Sequence, residues 1–289
     1  MMPEKIPAIA ILPYGQTLGP HLARFAADEL HWPLGQPARL VGRQASDLLP
    51  TDHLIVYPKT SAHLRPGFGT RAQVSMMVVE PEAIHAKHLV MLRYTHRRFF
   101  RVLSYNDALL SRIPNGIFLP YGTTWVPEWR TLTPEKSKMV SLIASNKSNQ
   151  PGHRLRHQVV DSVQSKGYDV DVLGRGYKPF GAKSDGLLPY RYSVVIENIR
   201  EPNYFSEKLI DAILCETVPI YWGCPNIDRF LGTGGMIICK SAADIETALQ
   251  QASEADYQNR LPALRAIKTN ADAYGDLEKR AASALRDSL

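Results

Sequence analysis

The stretch 192-YSVVIENIREPNYFSEKLIDAILCETVPIYWGCPN-226 reads as a strand, a loop, a helix and a second strand. Val194, Val195 and Ile196 form a short apolar run that is typical of a buried strand. Ser206 is a favourable N-cap residue, and apolar residues recur behind it at helical spacing. A unit of this kind predicts parallel strands in a sheet that helices cover on both faces.

The same alternation extends over the whole chain of 289 residues. We expect strands in IPAIAIL, DHLIVY, VSMMVVE, FFRVLSY and GIFLPYG, and then in MVSLIAS, VDVLG, YSVVIEN, PIYWG and MIICK. We expect helices in GPHLARFAADEL, HAKHLVML and PGHRLRHQVVDSVQSKG, the last opened by Pro151 and closed by Gly167, and a helical stretch from Ala242 onward. The polar segment TTWVPEWRTLTPEKSK, residues 123–138, is interpreted as a linker.

This organisation predicts an α/β protein with two doubly wound, Rossmann-like domains facing a cleft. We place the N-terminal domain at residues 1–130 and the C-terminal domain at residues 131–289. In open parallel sheets, ligands bind beyond the carboxyl ends of the strands. Four segments follow predicted strands and together are rich in Asn, Gly, Lys and Arg: IASNKSNQPGHR, GRGYKP, ENIREPNYFSEK and GCPN.

Charge and cysteine content narrow the class of protein. Lys and Arg number 34 against 28 Asp and Glu, and the net charge of +6 favours anionic partners such as phosphates, nucleic acid or acidic lipid. Cys215, Cys224 and Cys239 show no CxxC spacing, so we expect neither a disulfide framework nor a zinc site, and a reduced, cytoplasmic protein. The N-terminal run MMPEKIPAIAILPYG is too short for a transmembrane helix and poorly shaped for a signal peptide.

The start of the helix at Ser206 is the best candidate for a binding site. Free backbone N–H groups and the helix dipole make such an N-terminus attractive to anions. Glu207 in the first turn suits the dipole, whereas Lys208 opposes it unless it faces a bound phosphate. A capped helix with a surface lysine is the structural alternative.

Residues 192–226 resemble the signature of the α1,3/α1,4-fucosyltransferase family, which reads as a strand, E-N-S/T, a loop, Y-x-T-E-K-L/I, a helix and V-P-x-x-x-G. Upstream, LIASNKSNQPGHRLRHQVVDSV is similar to the family's S-N…R segment and VDVLGRGYKPF to its V-D-V-x-G-R-x-x-K-P segment. The resemblance covers residues 139–231 in matching order and spacing. In the N-terminal half, VVEPEAIH and IFLPYG resemble the family's E-S-P segment and its F-x-P-Y-G end.

This resemblance implies an inverting glycosyltransferase of the two-domain GT-B type that uses GDP-fucose and requires no metal. Arg156 and Lys208 would hold the diphosphate, and Glu207 would bind ribose or sugar hydroxyls. Asn198 and Tyr204 would line the same pocket. The chemistry agrees, because Arg, Lys and backbone N–H groups can stabilise the negative charge that develops on the leaving group.

The resemblance also implies a general base, Glu80, in an acceptor-side N-terminal domain. The sequence departs from the family pattern here, because EPEAIH lacks the serine of E-S-P, and Glu82 and His85 are close enough to be rival bases. Ile199 stands where the family has a small hydroxyl residue. Ser206 replaces the usual threonine, which is conservative for capping.

Three other motifs carry weaker signals. Asp169 and Asp171 form a D-x-D, but they lie in a predicted strand inside the family's V-D-V segment, so we expect no metal there. GRGYKPFG lacks a dinucleotide fingerprint and is interpreted as a loop near the nucleotide. YTHRRFFR, residues 94–101, could meet nucleic acid or an anionic membrane surface, although a solvated helix end is the interpretation we favour.

The sequence therefore predicts a fucosyltransferase-like enzyme that transfers a sugar from a GDP-sugar to a hydroxyl of a surface glycan, such as a lipopolysaccharide or O-antigen precursor. A donor other than GDP-fucose and a non-catalytic nucleotide- or sugar-binding module stay open as alternatives. The expected partners are the donor and a glycan or lipid-linked oligosaccharide acceptor, not nucleic acid. Because no stem or membrane anchor like that of the animal members is present, we expect a bacterial-type cytoplasmic protein, with peripheral association at the inner face of the membrane left open.

Overall fold

The computed structural model describes residues 7–289, so Ile6, the first residue of the predicted first strand, lies outside the described residues. The chain forms two compact units. The N-terminal unit comprises Met1–Pro120 and Leu277–Leu289, and the C-terminal unit comprises Tyr121–Asp276.

The elements follow the predicted alternation closely. The strands are β1 Ile9–Ile11, β2 His53–Val56, β3 Gln73–Val78, β4 Val102–Ser104, β5 Gly116–Phe118, β6 Lys138–Ile143, β7 Val170–Leu173, β8 Tyr190–Ile196, β9 Val218–Trp222 and β10 Ile237–Ile238. The helices are α1 Thr60–Leu64, α2 Glu82–Thr95, α3 Asp107–Leu110, α4 Pro151–Lys166, α5 Glu207–Leu214, α6 Ala242–Gln251, α7 Glu254–Ala266, α8 Lys268–Ala273 and α9 Leu277–Arg286. Within residues 7–289, none of these helices is long and apolar enough to cross a membrane.

The N-terminal unit is built on a parallel sheet with the strand order β1-β2-β3-β4-β5. Each successive strand is added at the same edge of the sheet. Right-handed crossovers then place the connecting segments on one face of the sheet. Leu54 and Met76 belong to the apolar core of the unit. The helix α9 packs against β1 and contributes buried apolar side chains of its own, Leu277, Ala281, Ala282 and Leu285.

The segment GPHLARFAADEL is not the predicted helix. It forms two short 3-10 turns, Pro20–Arg24 and Ala27–Glu29, separated by extended backbone at Phe25 and Ala26. Ala26 forms a β-bridge with Gln44, and this pairing takes the backbone out of the helical conformation. A contact 18 residues away in sequence therefore overrides the local helical pattern.

The C-terminal unit carries a parallel sheet with the order β10-β9-β8-β6-β7. The chain runs outward from β6 to β7, and then returns to the other side of β6 to add β8, β9 and β10. This unit is doubly wound, as predicted, and the order reverses between β6 and β8. Ligands of open parallel sheets bind at such a reversal, beyond the carboxyl ends of the strands. The prediction of a doubly wound sheet is wrong for the N-terminal unit, whose parallel sheet adds each strand in the same direction and has no reversal.

The division into units differs from the predicted boundary at residues 130/131 in two ways. The N-terminal unit ends at Pro120, and the chain returns to it at Leu277. The predicted linker, residues 123–138, is packed into the C-terminal unit: Thr124 and Trp125 donate hydrogen bonds to Asp211, and Val126 is fully buried. Its prolines mark a structured segment and not a flexible connection.

The predicted limits of α4 are confirmed. Pro151 occupies the first helical position, where its missing N–H costs nothing. Gly167 ends the helix in the left-handed conformation, with φ of 67°.

Three histidines meet where α1 packs against α2. His63 Nδ1 lies 2.8 Å from Thr95 Oγ1, and its Nε2 lies 3.0 Å from His88 Nδ1. The rings of His85 and His88 pack edge to face. Burial lowers the pKa of both His63 and His85 to about 4, helped by the neighbouring His88, and burial also lowers the pKa of His88.

We expect this cluster to make the N-terminal unit sensitive to acid. Because the folded pKa of His63 lies below the unfolded value of about 6.5, unfolding takes up protons, and stability falls as pH falls from about 6.5 to 4, by up to about 1.4 kcal/mol per pH unit for this group. His63→Leu removes the titrating group from the cluster. Urea unfolding at several pH values should show a shallower loss of stability in the variant than in the unchanged protein. Equal slopes would contradict the role given to His63.

Candidate functional site

The candidate site lies where the strand order of the C-terminal sheet reverses. The N-terminus of α4 follows β6, and the loop to α5 follows β8. Gly152 N donates a hydrogen bond to Asn198 O at 2.9 Å. A Cβ at Gly152 would lie 1.8 Å from Glu197 O, so only glycine allows α4 to approach the end of β8 this closely.

A buried carboxylate fixes the start of α5. Glu197 directly follows β8 and has no solvent exposure. Its Oε1 accepts from Ser206 N at 2.8 Å, and its Oε2 accepts from Ser206 Oγ at 2.6 Å. Burial raises the pKa of Glu197 above its usual value, against the opposing effect of Lys208. Glu197 thus occupies the backbone N–H of the N-cap residue Ser206. That donor is not available to an external anion, in contrast to the prediction of free N–H groups at this helix N-terminus.

The ammonium of Lys208 sits among three acceptors. Its Nζ lies 2.9 Å from Glu207 Oε1, 3.0 Å from Ser206 Oγ and 3.7 Å from Glu197 Oε2. Burial lowers the pKa of Lys208, but the carboxylates of Glu207 and Glu197 outweigh it, and the net shift is upward. The side chain is only 22% exposed, so Lys208 differs from an ordinary solvated surface lysine.

Glu207 is buried beside this ammonium. Burial raises its pKa, but Lys208 and Lys183 outweigh that effect and hold the pKa below its usual range. Glu207 and Lys208 are therefore both charged at neutral pH. A buried carboxylate beside a partly exposed ammonium can offer one group to hydroxyls and the other to an anion.

Arg156 projects from α4 to the end of β8. Its Nε and one terminal nitrogen donate to Ile196 O at 3.0 and 2.6 Å, and the same terminal nitrogen donates to Asn198 Oδ1 at 2.9 Å. Only 6% of Arg156 is exposed, and burial lowers its pKa. These hydrogen bonds of the guanidinium hold the end of β8 in place. Its other terminal nitrogen makes no hydrogen bond to the described part of the chain.

Asn198 and Tyr204 differ in how they could meet a ligand. Asn198 is partly exposed, and its Oδ1 also lies 3.1 Å from His153 Nε2. Tyr204 is 1% exposed and stacks on Tyr121, with 5.9 Å between ring centres. The structure brings Arg156 and Asn198 together at the predicted edge, and Tyr204 is buried but close enough for its hydroxyl to affect the pKa of Arg156.

The sequence interpretation assigned no role to the asparagine pair that locks the loop before α5. Asn203 N donates to Asn226 Oδ1 at 2.9 Å, and Asn226 Nδ2 donates to Asn203 Oδ1 at 2.8 Å. Asn203 has φ of +64°, a conformation that asparagine adopts more readily than most residues. In the sequence, an asparagine in each of the loops that follow the neighbouring strands β8 and β9 could have indicated this pair.

A second missed feature lies one turn further along α5. Asp211 is fully buried; its Oδ1 accepts from Thr124 and Trp125, and its Oδ2 has no hydrogen-bond partner among the described residues. Burial raises the pKa of Asp211 to about 6. Lys183 lies over the Trp125 ring, 5.7 Å from its centre, and its charge acts on both Asp211 and Glu207. Lys183 is therefore a further cation near this edge.

The three candidate bases belong to the N-terminal unit. Glu80 follows the carboxyl end of β3, is partly exposed, and its backbone carbonyl accepts from Tyr105 OH at 3.4 Å. Glu82 begins α2. His85 lies further along α2, and a pKa of about 4 makes it a poor proton acceptor at neutral pH.

The second aspartate of the D-x-D motif makes structural contacts. Asp171 Oδ2 lies 2.7 Å from Lys138 Nζ and accepts a hydrogen bond from Tyr190 OH at 2.7 Å. Hydrogen bonds from Lys138 and Tyr190 hold the pKa of Asp171 below its usual value. Across residues 7–289, no group of three or more His, Cys, Asp or Glu side chains is arranged to hold a metal ion.

Comparisons with known proteins point to one family. Residues 133–258 match the family model described as glycosyltransferase family 10 (fucosyltransferase) C-term. The Helicobacter pylori alpha-(1,3)-fucosyltransferase FucT is 32% identical over 99 residues, 33% of this chain and 20% of that protein. The human 4-galactosyl-N-acetylglucosaminide 3-alpha-L-fucosyltransferase FUT6 is 31% identical over 136 residues, 44% of this chain and 37% of that protein. The chain thus spans well under half the length of these relatives.

Solved structures extend the likeness in fold beyond the family match. An alpha1,3-fucosyltransferase determined with GDP-fucose has a TM-score of 0.50 at 16% identity and covers 82% of this chain and 80% of that one. An alpha,alpha-trehalose-phosphate synthase (UDP-forming) from Burkholderia vietnamiensis has a TM-score of 0.54 at 13% identity and covers 83% and 71%. The predicted GT-B-like fold with two parallel-sheet units is confirmed.

We expect Ser206→Ala to cost more than the loss of an ordinary helix cap. The change removes both the cap and one of the two hydrogen bonds to buried Glu197, and we expect a loss of about 2–4 kcal/mol in the free energy of unfolding. Ser253→Ala is the matched control, since Ser253 caps α7 through Asp256 N alone and is exposed; it should cost about 1 kcal/mol. Urea unfolding of both variants measures the difference, and equal losses would show that Glu197 does not depend on Ser206.

Proposed function

Because residues 133–258 match the fucosyltransferase model of glycosyltransferase family 10, we propose that the protein transfers a sugar from a GDP-sugar, with GDP-fucose as the donor, to a hydroxyl group of a glycan. One observation carries the proposal. A partly exposed ammonium, that of Lys208, is held beside the buried carboxylate of Glu207 at the strand-order reversal, and both residues lie within the part of the chain that matches the family.

In this proposal the donor's diphosphate binds at Lys208. Two donor positions of the ammonium are occupied by Ser206 Oγ and Glu207 Oε1, which leaves a third N–H for a phosphate oxygen. Arg156 donates a hydrogen bond to Asn198 Oδ1 and adds positive charge to the site. Glu207 accepts hydrogen bonds from ribose or sugar hydroxyls. These groups stabilise the charge that develops on GDP as it leaves, without a divalent metal.

The transfer step needs a proton acceptor, and we place this group in the N-terminal unit. The acceptor's hydroxyl oxygen attacks the anomeric carbon, the bond from that carbon to the phosphate oxygen breaks, and GDP departs with the bonding electrons. Glu80 takes the hydroxyl proton, because a carboxylate at the end of a parallel strand is a suitable general base. Attack on the face opposite the leaving group inverts the anomeric configuration.

For the acceptor, the proposal names a chemical class of molecule. We infer a surface glycan, such as a lipopolysaccharide or O-antigen precursor, carried on a lipid, in a bacterial protein that works in the cytoplasm. A lipid-linked acceptor would require the protein to work at a membrane surface. Donor hydrolysis separates an enzyme from the alternative, a binding module, since a binding module gives none. A comparison of GDP-sugars identifies the donor sugar.

GDP should bind in the presence of EDTA, and Lys208→Ala should weaken that binding. Loss of a charge-assisted hydrogen bond of about 1.5–3 kcal/mol predicts a roughly tenfold to hundredfold higher Kd. The control is Lys166→Ala, at the far end of α4, where Lys166 pairs with Glu246. Calorimetric titration of the three proteins gives the answer. If binding disappears when metal is stripped, or if both variants bind like the unchanged protein, the phosphate site is wrong.

Glu80→Gln tests catalysis alone. The amide keeps the shape of the side chain but cannot accept the proton, so turnover should fall by about 10²- to 10⁴-fold while GDP affinity barely changes. Glu82→Gln and His85→Asn are the matched variants of the rival bases and should keep turnover within a fewfold. Turnover with a competent acceptor and GDP affinity are measured on each variant. Survival of turnover in Glu80→Gln would transfer the role to a rival, and a joint collapse of turnover and affinity would make Glu80 structural.

A further inference from the structure

The helix α2 is apolar on two sides, and only one of them faces the core. Leu89 and Leu92 are buried in the N-terminal unit. On the outside, Ile84 and Val90 are each 50% exposed, and Tyr94 is 83% exposed. A helix on the surface of a water-exposed domain normally places polar residues there.

A further exposed apolar side chain lies at the end of the neighbouring helix α1. Leu64, at the end of α1, is 69% exposed. The side chain before it, His63, contacts both His88 and Thr95, so the end of α1 lies along the second half of α2. We call the surface formed by Leu64, Ile84, Val90 and Tyr94, with the cations between them, the α2 outer face.

Three exposed cations alternate in sequence with these apolar side chains: Lys87 and Arg93 on α2, and Arg97 in the turn that follows it. None of the three makes an ion pair or a side-chain hydrogen bond to the described residues. By contrast, Arg98 donates to Arg65 O and covers the Phe68 ring, so it is committed within the unit. Residues 82–101 contain five Lys and Arg against one Glu.

The charge of the whole chain is concentrated in the same unit. The N-terminal unit contains 16 Lys and Arg against 10 Asp and Glu, whereas the C-terminal unit contains 18 of each. The N-terminal unit therefore accounts for the entire net charge of +6. The C-terminal unit, which carries the proposed phosphate site, is neutral overall, so the donor's charge does not explain this excess.

We propose that the α2 outer face docks onto the surface of an anionic lipid bilayer. Leu64, Ile84 and Val90 enter the boundary between headgroups and acyl chains, and Tyr94 lies at the headgroup level, which aromatic side chains with a polar tip favour. Lys87 and the two arginines reach lipid phosphates while their stems stay on apolar surface. The proposal stands on these exposures and charges; under the proposed function it would bring the protein to a lipid-linked acceptor.

Other occupants fit the face less well. A nucleic acid would use the cations, but its phosphates gain nothing from exposed Leu64, Ile84 and Val90. A second copy of the chain would bring two positively charged faces together, and like charges repel. An anionic bilayer complements both the charge and the apolar character.

Vesicle flotation with the full-length chain tests the proposal. Vesicles of phosphatidylcholine with roughly 30% phosphatidylglycerol should bind the protein at about 0.1 M salt, and vesicles of phosphatidylcholine alone should bind at least tenfold less. Val90→Ser/Arg97→Glu should weaken binding to the anionic vesicles by about tenfold or more, because it removes an inserted side chain and reverses one charge. Absence of binding to the anionic vesicles by the unchanged protein would overturn the proposal.

A matched variant controls for bulk charge. Val41→Ser/Arg43→Glu makes the same substitutions at exposed positions away from α2; Val41 is 60% exposed. It should bind anionic vesicles within about twofold of the unchanged protein. Equal losses in the two variants would mean that net charge, and not the α2 outer face, drives binding.

A single substitution separates lipid from nucleic acid. Val90→Ser leaves every charge in place, so it should weaken binding to vesicles and leave binding to a single-stranded oligonucleotide unchanged. Unchanged vesicle binding in Val90→Ser, with tighter binding to the oligonucleotide, would make this a nucleic-acid surface and overturn the proposal. GDP affinity is measured in parallel on the same proteins. If the unchanged protein does not bind GDP, that result would contradict the proposed function and would leave the vesicle result standing.

Discussion

Two hydrogen bonds from Ser206 to the buried carboxylate of Glu197 organise the C-terminal unit around its candidate site. They tie the end of β8 to the start of α5 through two residues that lie nine positions apart in the chain. A buried carboxylate is stable only when it is hydrogen-bonded or paired with an opposite charge; Ser206 donates both hydrogen bonds, and the ammonium of Lys208, 3.7 Å from Oε2, adds a positive charge. The same contacts that stabilise Glu197 therefore fix the ammonium that we assign to the donor's phosphate.

The other parts of the site depend on the same strand end. Gly152 lets α4 approach Glu197 and Asn198 within contact, and Arg156 then reaches Ile196 O. Both helices begin at the point where the strand order reverses, which is where an open parallel sheet exposes its strand ends to a ligand. A change at Glu197 should thus disturb the loop, both helix starts and the cation together.

Local patterns in the sequence were sufficient for most strands and for the caps of α4, because each depends on residues close together in the chain. The resemblance to a known family singled out Glu207 and Lys208, whereas no local pattern indicated that Glu197 would be buried against Ser206. Long-range contacts explain the differences. The backbone at Ala26 leaves the helical region because it pairs with Gln44, and α9 joins the N-terminal unit by packing on β1, more than 260 residues away. The burial of Asp211 beneath the segment at Thr124 is of the same kind.

The most direct measurement is a crystal structure of the protein with GDP, grown in the presence of EDTA. The account predicts that a diphosphate oxygen lies within about 3 Å of Lys208 Nζ, with Ser206 still bonded to Glu197 and no metal ion between protein and phosphate. A diphosphate bound away from the start of α5, or held through a metal ion, would contradict the central claim.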